Sequence, residues 1–162
     1  MPVQDYNINT RNAVAGQTYG LSYSIAPMSW TVDFTAAFGA PVVRSGDRTA
    51  TDTTGLTADT AFFLDGITIR TVNHEQNSRP GDGLVAYSVG DVAAVLQEGQ
   101  IQVLVEDAFV VEGLVYVEEA TGKWFAANAA GRSQALNVRF ESSGAASSIG
   151  LVRIATNKVL SA

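Results

Sequence analysis

The sequence predicts an all-β fold: a jelly-roll-like antiparallel sandwich or barrel with an extended N-terminal arm. Three observations carry this. Apolar and polar residues alternate with period two through most of the stretch from Val85 to Phe125. Turn residues interrupt that stretch about every ten positions, the spacing of short paired strands. The turns throughout are rich in glycine, which an all-β chain needs where it reverses.

The elements follow in order. Residues 1–16 are polar, with isolated Tyr6, Ile8 and Val14, and read as an extended arm. Tyr19, Leu21, Tyr23 and Ile25 alternate with Gly20, Ser22, Ser24 and Ala26, the pattern of a strand with one bulky face. Trp30, Phe34 and Phe38 stand at helical spacing, with Ser29 as N-cap and Gly39 as stop. Thr31, Val32 and Thr35 are β-branched and oppose a helix, so residues 29–39 stay open between helix and strand. Pro41-Val42-Val43-Arg44 reads as a short edge strand. Residues 45–60, rich in Thr, Asp and Gly, read as a long polar loop. Phe62-Phe63-Leu64 leads through Asp65-Gly66 into Ile67, Ile69 and Thr71 as a hairpin. Residues 73–83 form a second polar loop, with strong turn chemistry at Arg79-Pro80-Gly81-Asp82-Gly83.

In the central region Val92, Ala94 and Leu96 alternate with Ala93, Val95 and Gln97. Glu98-Gly99 turns the chain into Ile101, Val103 and Val105, which alternate with Gln100, Gln102 and Leu104. Gly113 opens Leu114-Val115-Tyr116-Val117, and Thr121-Gly122 reverses the chain before Lys123-Trp124-Phe125. Leu136, Val138 and Phe140 then alternate with Asn137, Arg139 and Glu141, and Ile149 to Ile154 makes the last strand. The sum is about nine strands. Residues 1–30 are expected to be an arm and first strand that form an interface, and residues 31–162 a β-sandwich.

A chain of 162 residues, 46% hydrophobic, fills a core without covalent staples. It has no cysteine, which excludes disulfides and thiolate-bound zinc and leaves the redox compartment open. Its net charge is −6 and its ten basic residues are scattered, so a nucleic-acid partner is not expected. No apolar run approaches the roughly 18 residues of a membrane span, and no membrane partner is expected. Met1-Pro2-Val3-Gln4-Asp5 lacks a basic, apolar leader, so synthesis in the cytoplasm is expected.

Candidates for chemistry are few. His74, the single histidine, lies in a polar loop without a partner nucleophile or ligand set. Asp47, Asp52, Asp59 and Asp65 could serve as a carboxylate pair or calcium ligands, but beside Thr and Gly they read as turn residues. Gly81-Asp82-Gly83 lacks the further glycines and the helix of a phosphate loop. Ser142-Ser143 and Ser147-Ser148 have no base nearby in sequence. Glu106-Asp107, Glu112 and Glu118-Glu119 gather negative charge, read either as a solvated face or as a docking surface for a basic partner. No catalytic residue, cofactor or metal is therefore expected. The aromatic and aliphatic residues Tyr6, Ile8, Tyr19, Tyr23 and Trp30 are the candidate intersubunit contacts, because Tyr and Trp concentrate at interfaces.

Several stretches together resemble the structural cement, or decoration, proteins of tailed-bacteriophage capsids. They are Val89-Gly90-Asp91 with Val92 to Leu96, Gly99 with Val103 and Val105, and Gly113 with Val115-Tyr116-Val117. Thr121-Gly122-Lys123-Trp124-Phe125, Ala135 to Phe140 and Ala145 to Ile154 continue the pattern. Upstream, Phe38-Gly39-Ala40-Pro41-Val42-Val43-Arg44 and Gly66-Ile67-Thr68-Ile69-Arg70 belong to it. The family's final Gly-Gly-type turn is represented by Ser147-Ser148-Ile149-Gly150, which leaves that register open. The resemblance implies a virion protein without enzymatic activity or cofactor. It would bind the outer face of the major capsid protein lattice and self-associate as a dimer or trimer. A head-fibre or carbohydrate- and receptor-binding domain is the alternative, motivated by Trp30, Trp124 and the polar loops.

Overall fold

The computed structural model describes residues 15–18, 27–56, 59–71 and 86–155. Among them there is no helix, only strands and turns. The first six strands are β1 (Pro27–Val32), β2 (Ala36–Ala37), β3 (Pro41–Gly46), β4 (Thr49–Thr51), β5 (Gly66–Thr68) and β6 (Ala86–Tyr87). The next six are β7 (Val92–Leu96), β8 (Gly99–Val105), β9 (Leu114–Glu118), β10 (Trp124–Phe125), β11 (Arg132–Phe140) and β12 (Ser148–Ile154). Two closed sheets result. The N-terminal barrel has the order β1-β4-β3-β5-β7 and the C-terminal barrel β10-β8-β12-β11-β9, while β2 and β6 form a two-stranded ribbon. Closure removes the free edges that would otherwise recruit stray strands. Pairing is mostly antiparallel; β1 with β4 and β8 with β10 are parallel.

The predicted all-β body holds, and the structure assigns several of its parts differently. Residues 29–39 hold strand and turn and no helix: β1 pairs with β7, and after a bend β2 follows. Trp30, expected at an intersubunit surface, is 2% exposed and packs with Val32, Val42, Ala93 and Val95 in the N-terminal core. Its indole is already spent on that core, so it has no surface left to offer a neighbour. The boundary expected after residue 30 falls inside β1, and residues beyond it build two barrels. The segment 41–44 is no edge, since β3 pairs with β4 on one side and β5 on the other. The polar loop 45–60 contains β4, whose one inward residue is the buried Ala50.

The hairpin expected around Asp65-Gly66 does not form. Asp65 accepts a hydrogen bond from the Arg44 amide (2.8 Å) instead of turning the chain. Gly66 is required by packing: a Cβ there would come within 2.2 Å of Val95 Cγ1. Residues 62–64 lie on β11, with Phe62 N–H donating to Gln134 O and Leu136 N–H to Phe62 O, both 2.9 Å. Space for them comes from a wide irregularity in β11, where the steps from Gln134 to Arg139 face only Tyr116 to Leu114 of β9.

That irregularity also shifts the inward face partway along β11. Val138 and Phe140 are buried as predicted, but before them Ser133, Ala135 and Asn137 face inward, so Asn137 is buried where a polar, outward residue was expected and Leu136 is not. The Asn137 amide is fully used. Oδ1 accepts from Leu64 N (2.8 Å), and Nδ2 donates to Leu64 O (2.8 Å) and Ala155 O (2.9 Å). In β8 the prediction stands: Ile101, Val103 and Val105 are buried and Leu104 is exposed. In β7, Ala93 and Val95 point into the N-terminal core, whereas Leu96 joins the other core and Val92 is exposed. Consecutive strands β7 and β8 do not pair; the Glu98 turn carries the chain from one barrel to the other.

The two barrels are one body. Ile67 and Leu96, register partners on adjacent strands of the N-terminal barrel, pack with Leu64 into the core of the C-terminal barrel. Trp124 donates its indole N–H to Gly39 O (2.8 Å), and Thr53 Oγ1 donates to Glu119 O (3.0 Å). Residues 15–18 strap the same junction. Gly16 N–H donates to Gln102 O (2.7 Å), Gln102 N–H to Gln17 O (2.9 Å), and Arg70 N–H to Gly16 O (2.8 Å).

The strap depends on Gly16 and Gly39 touching backbone to backbone, both at positive φ (+80° and +77°). A Cβ on Gly16 would stand 2.8 Å from Phe38 Cβ and 2.9 Å from the Arg70 and Gly39 amides. Gly16→Ala is therefore expected to cost about 2–3 kcal/mol through strain and overpacking. In a thermal melt this reads as a fall of about 5–10 °C. Gly55→Ala, where nothing lies within 4 Å of the added atom, is expected to melt as the parent does.

Candidate functional site

Of the five predicted contact residues, Tyr6, Ile8, Tyr19 and Tyr23 lie outside the described residues, and Trp30 is internal. His74, the 73–83 loop and the strand predicted over 19–25 also lie outside them. Trp124 is as buried as Trp30. The alternative of a carbohydrate-binding face therefore loses both aromatic rings that suggested it.

Each of the four loop aspartates is held by a partner within the fold. Asp47 pairs with Arg44 (3.3 Å), Asp52 accepts from Thr54 N (3.1 Å), and Asp59 accepts from Gly131 N (3.2 Å), while Asp65 holds the Arg44 amide. Among the described residues no group of three or more His, Asp or Glu is placed to hold a metal. The serines act as pins: Ser142 Oγ accepts from Leu151 N (2.9 Å) and Ser143 Oγ from Val111 N (3.0 Å).

The acidic cluster around the central strands is largely used within the fold. Glu106 pairs with Lys123 at 2.9 Å, and Asp107 with Arg132 at 3.1 Å. The hydrogen bond and charge of Glu106 hold the Lys123 ammonium above its ordinary range. Arg132 also lies over the Phe125 ring at 3.4 Å, so its charge is shared between carboxylate and π-face. Glu118 accepts from Thr121 Oγ1, and Glu119 binds the Asp59 amide (3.1 Å) and Ser133 Oγ. Burial raises the Tyr87 phenol, whose hydroxyl donates to Ile69 O (2.6 Å). Glu106, Glu119 and Lys123 border the groove described next, and within the fold each is held by an ion pair or hydrogen bond.

What the surface offers is a groove of about 660 Å³ along the junction of the barrels, with Phe34, Phe38, Pro41, Leu104 and Trp124 on its apolar part and Glu106 and Lys123 on its charged part. Beyond the groove, Met28 of β1 is exposed, and the other exposed hydrophobic side chains gather where two turns enter strands: Val89 with Val92 at the start of β7, and Val110 and Val111 with Leu114 at the start of β9. Sequence reasoning missed both turns because an exposed valine reads as core when its neighbours alternate. The available signal was the acidic or glycine residue beside each pair, Gly90-Asp91 and Glu112-Gly113.

Comparison with known proteins gives this surface a context. The family model described as structural cement protein (E217 gp24/Pam3 gp6) matches residues 1–157. Among solved structures, a chain in "The capsid of Myoviridae Phage XM1" superposes with a TM-score of 0.62 at 21% identity, over 86% of this chain and 88% of that one. At that identity the likeness is one of fold. No curated protein matches.

Proposed function

The chain belongs to the structural cement protein family, and from that premise we propose that it seats on the outer surface of a phage capsid. There it grips the major capsid protein and ties neighbouring subunits together. The observation that carries this reading is the fused body. A shared core and cross-barrel hydrogen bonds join the two barrels, so load applied at one is passed to the other. A hinged pair would yield under the same load. Contacts that exist only in the assembled shell stabilise it by mass action, and several modest ones repeated by symmetry suffice. The role is structural and requires neither reaction nor cofactor.

Self-association as a dimer or trimer follows from the same reading, with Tyr6, Ile8, Tyr19 and Tyr23 as contacts to a neighbouring copy or to the shell. What supports this is their residue type, amphipathic rings and aliphatics in an otherwise polar stretch. Particles purified without this protein are expected to show vacant surface positions by electron microscopy and to rupture at lower temperature. Adding the purified protein should restore both. A chain beginning at Ala15 should fold but attach about tenfold or more weakly. Particles that rupture alike with and without the protein, with no vacant position, would overturn the reading.

A further inference from the structure

The two exposed valine turns, one on each barrel, share a construction. In the N-terminal barrel the turn Ser88 to Val92 closes on itself. Asp91 N–H donates to Ser88 O (3.0 Å), and Ser88 N–H donates to Asp91 Oδ2 (2.7 Å). It is also nailed to β1: Gly90 N–H donates to Val32 O (2.8 Å), and Val32 N–H to Asp91 O (3.0 Å). Held this way, Val89 and Val92 are 64% and 60% exposed.

In the C-terminal barrel the turn begins at Phe109, which is buried and stacks on Phe140 with ring centroids 5.0 Å apart. Gly144 and Gly150 leave room for that ring, since a Cβ on either would meet it at 2.4 and 2.8 Å. Glu112 N–H donates to Phe140 O (2.8 Å), Gly113 N–H to Val110 O (3.0 Å), and Val111 N–H to Ser143 Oγ (3.0 Å). Glu112 adopts φ +60°, a conformation costly for a residue with a side chain. The product is Val110 and Val111, 64% and 53% exposed, with Leu114 beside them.

A turn that serves only as a connection needs neither paired valines nor so many fixings; Asn, Asp, Gly and Ser would make it. Valine has few rotamers to lose, and a pinned turn has little backbone freedom to lose, so covering these side chains wastes little entropy. We propose that the two turns are the adhesive points of the molecule. Each inserts its valines into an apolar pocket on a capsid shell subunit, one turn per barrel, so that a single rigid body bridges two places on the shell. This rests on the reading of the chain as a capsid cement protein.

The occupant is a shell subunit rather than a second copy of this chain. The exposed Glu112 stands beside the C-terminal valines and Asp91 beside the N-terminal pair, on a chain of net charge −6. Two copies would bring like charges together, whereas an apolar pocket rimmed by Lys or Arg satisfies both features. Two weak contacts on one body multiply through effective concentration.

The test uses the full chain and particles purified without it. Val89→Ser with Val92→Ser, and separately Val110→Ser with Val111→Ser, are each expected to weaken binding about 10- to 100-fold. The four changes together should weaken it at least about 1,000-fold, with melting of the free protein within about 2 °C of the parent. If serine shifts melting further, the isosteric Val→Thr set makes the same comparison. Parent protein that binds while the fourfold variant binds within about twofold of it overturns the adhesive turns and leaves the cement reading standing. Parent protein that fails to bind the particles overturns the cement reading itself, and the turns with it. Variants that change the mass of the free protein would place a second copy on the valines, which also overturns the proposal.

Discussion

Val103→Asp is expected to lower stability by about 4–5 kcal/mol, enough to leave much of the chain unfolded at physiological temperature. Val103 is fully buried in β8, opposite Gly150 of β12, and surrounded by the apolar core of the C-terminal barrel. A carboxylate there has no partner and cannot reach water, so either its charge is neutralised at a cost or the barrel opens. The neighbouring Leu104 points the other way and is exposed, so Leu104→Asp should cost about 1 kcal/mol or less. Thermal melts of the two variants decide the matter. A fall of about 10–20 °C for the first with a small change for the second fits the structure. Equal melting would mean that the face of β8 is misassigned.

Asn137→Ala is the second large effect, expected at about 3–5 kcal/mol. The change removes little volume but strands three backbone groups, Leu64 N–H, Leu64 O and Ala155 O, at the joint between the barrels. Each buried group left without a partner costs about 1–3 kcal/mol. Asn137→Asp sharpens the test, because it keeps the acceptor for Leu64 N–H and replaces the donor to both carbonyls. The ionised carboxylate would face two carbonyl oxygens, so its pKa in the folded state lies above that of the unfolded chain, about 3.9. Between those two values the folded state holds the extra proton, and stability falls as pH rises. Denaturant melts should therefore show Asn137→Asp near the parent in acid and progressively weaker from about pH 4 upward. A pH-independent difference from the parent would contradict the assigned hydrogen bonds.

These two residues mark how far the sequence could be read. Val103 was legible because Ile101, Val103 and Val105 recur at every second position beside Gln100 and Gln102, in a strand that pairs along its whole length with β12. Asn137 was not. The irregularity in β11 that turns it inward is caused by residues 62–64, which approach from more than 70 positions away. Local pattern gives the faces of a strand and says nothing about which barrel the strand joins. Hence the Glu98-Gly99 turn was legible, but not that it carries the chain from one barrel to the other. Likewise β4 hid among threonines, because a short strand flanked by two partners needs only Ala50 inside. The aromatic spacing of Trp30, Phe34 and Phe38 imitated a helix. The β-branched residues between them held the better clue, since β1 must lie along β7 for the barrel to close.

Of the five candidate contacts, only Trp30 lies among the described residues. Sequence reasoning trusted ring size, and the fold consumed Trp30 and Trp124 internally. The valines that remain outside are indistinguishable by type from Val95 or Val103. The flanking Gly90-Asp91 and Glu112-Gly113 mark a turn at each site, but some of the bonds that fix those turns join residues distant in sequence, such as Val111 to Ser143.

The strap over β8 has a mechanical consequence. Its bonds reach Gln102 of β8 and Arg70, just beyond β5, so it holds both barrels at once. A pull on Ala15 is therefore shared between the two barrels. Tension arriving from a neighbour would thus be resisted at the seam of the two barrels, where Gly16 and Gly39 are wedged together, before it could peel any strand from either wall.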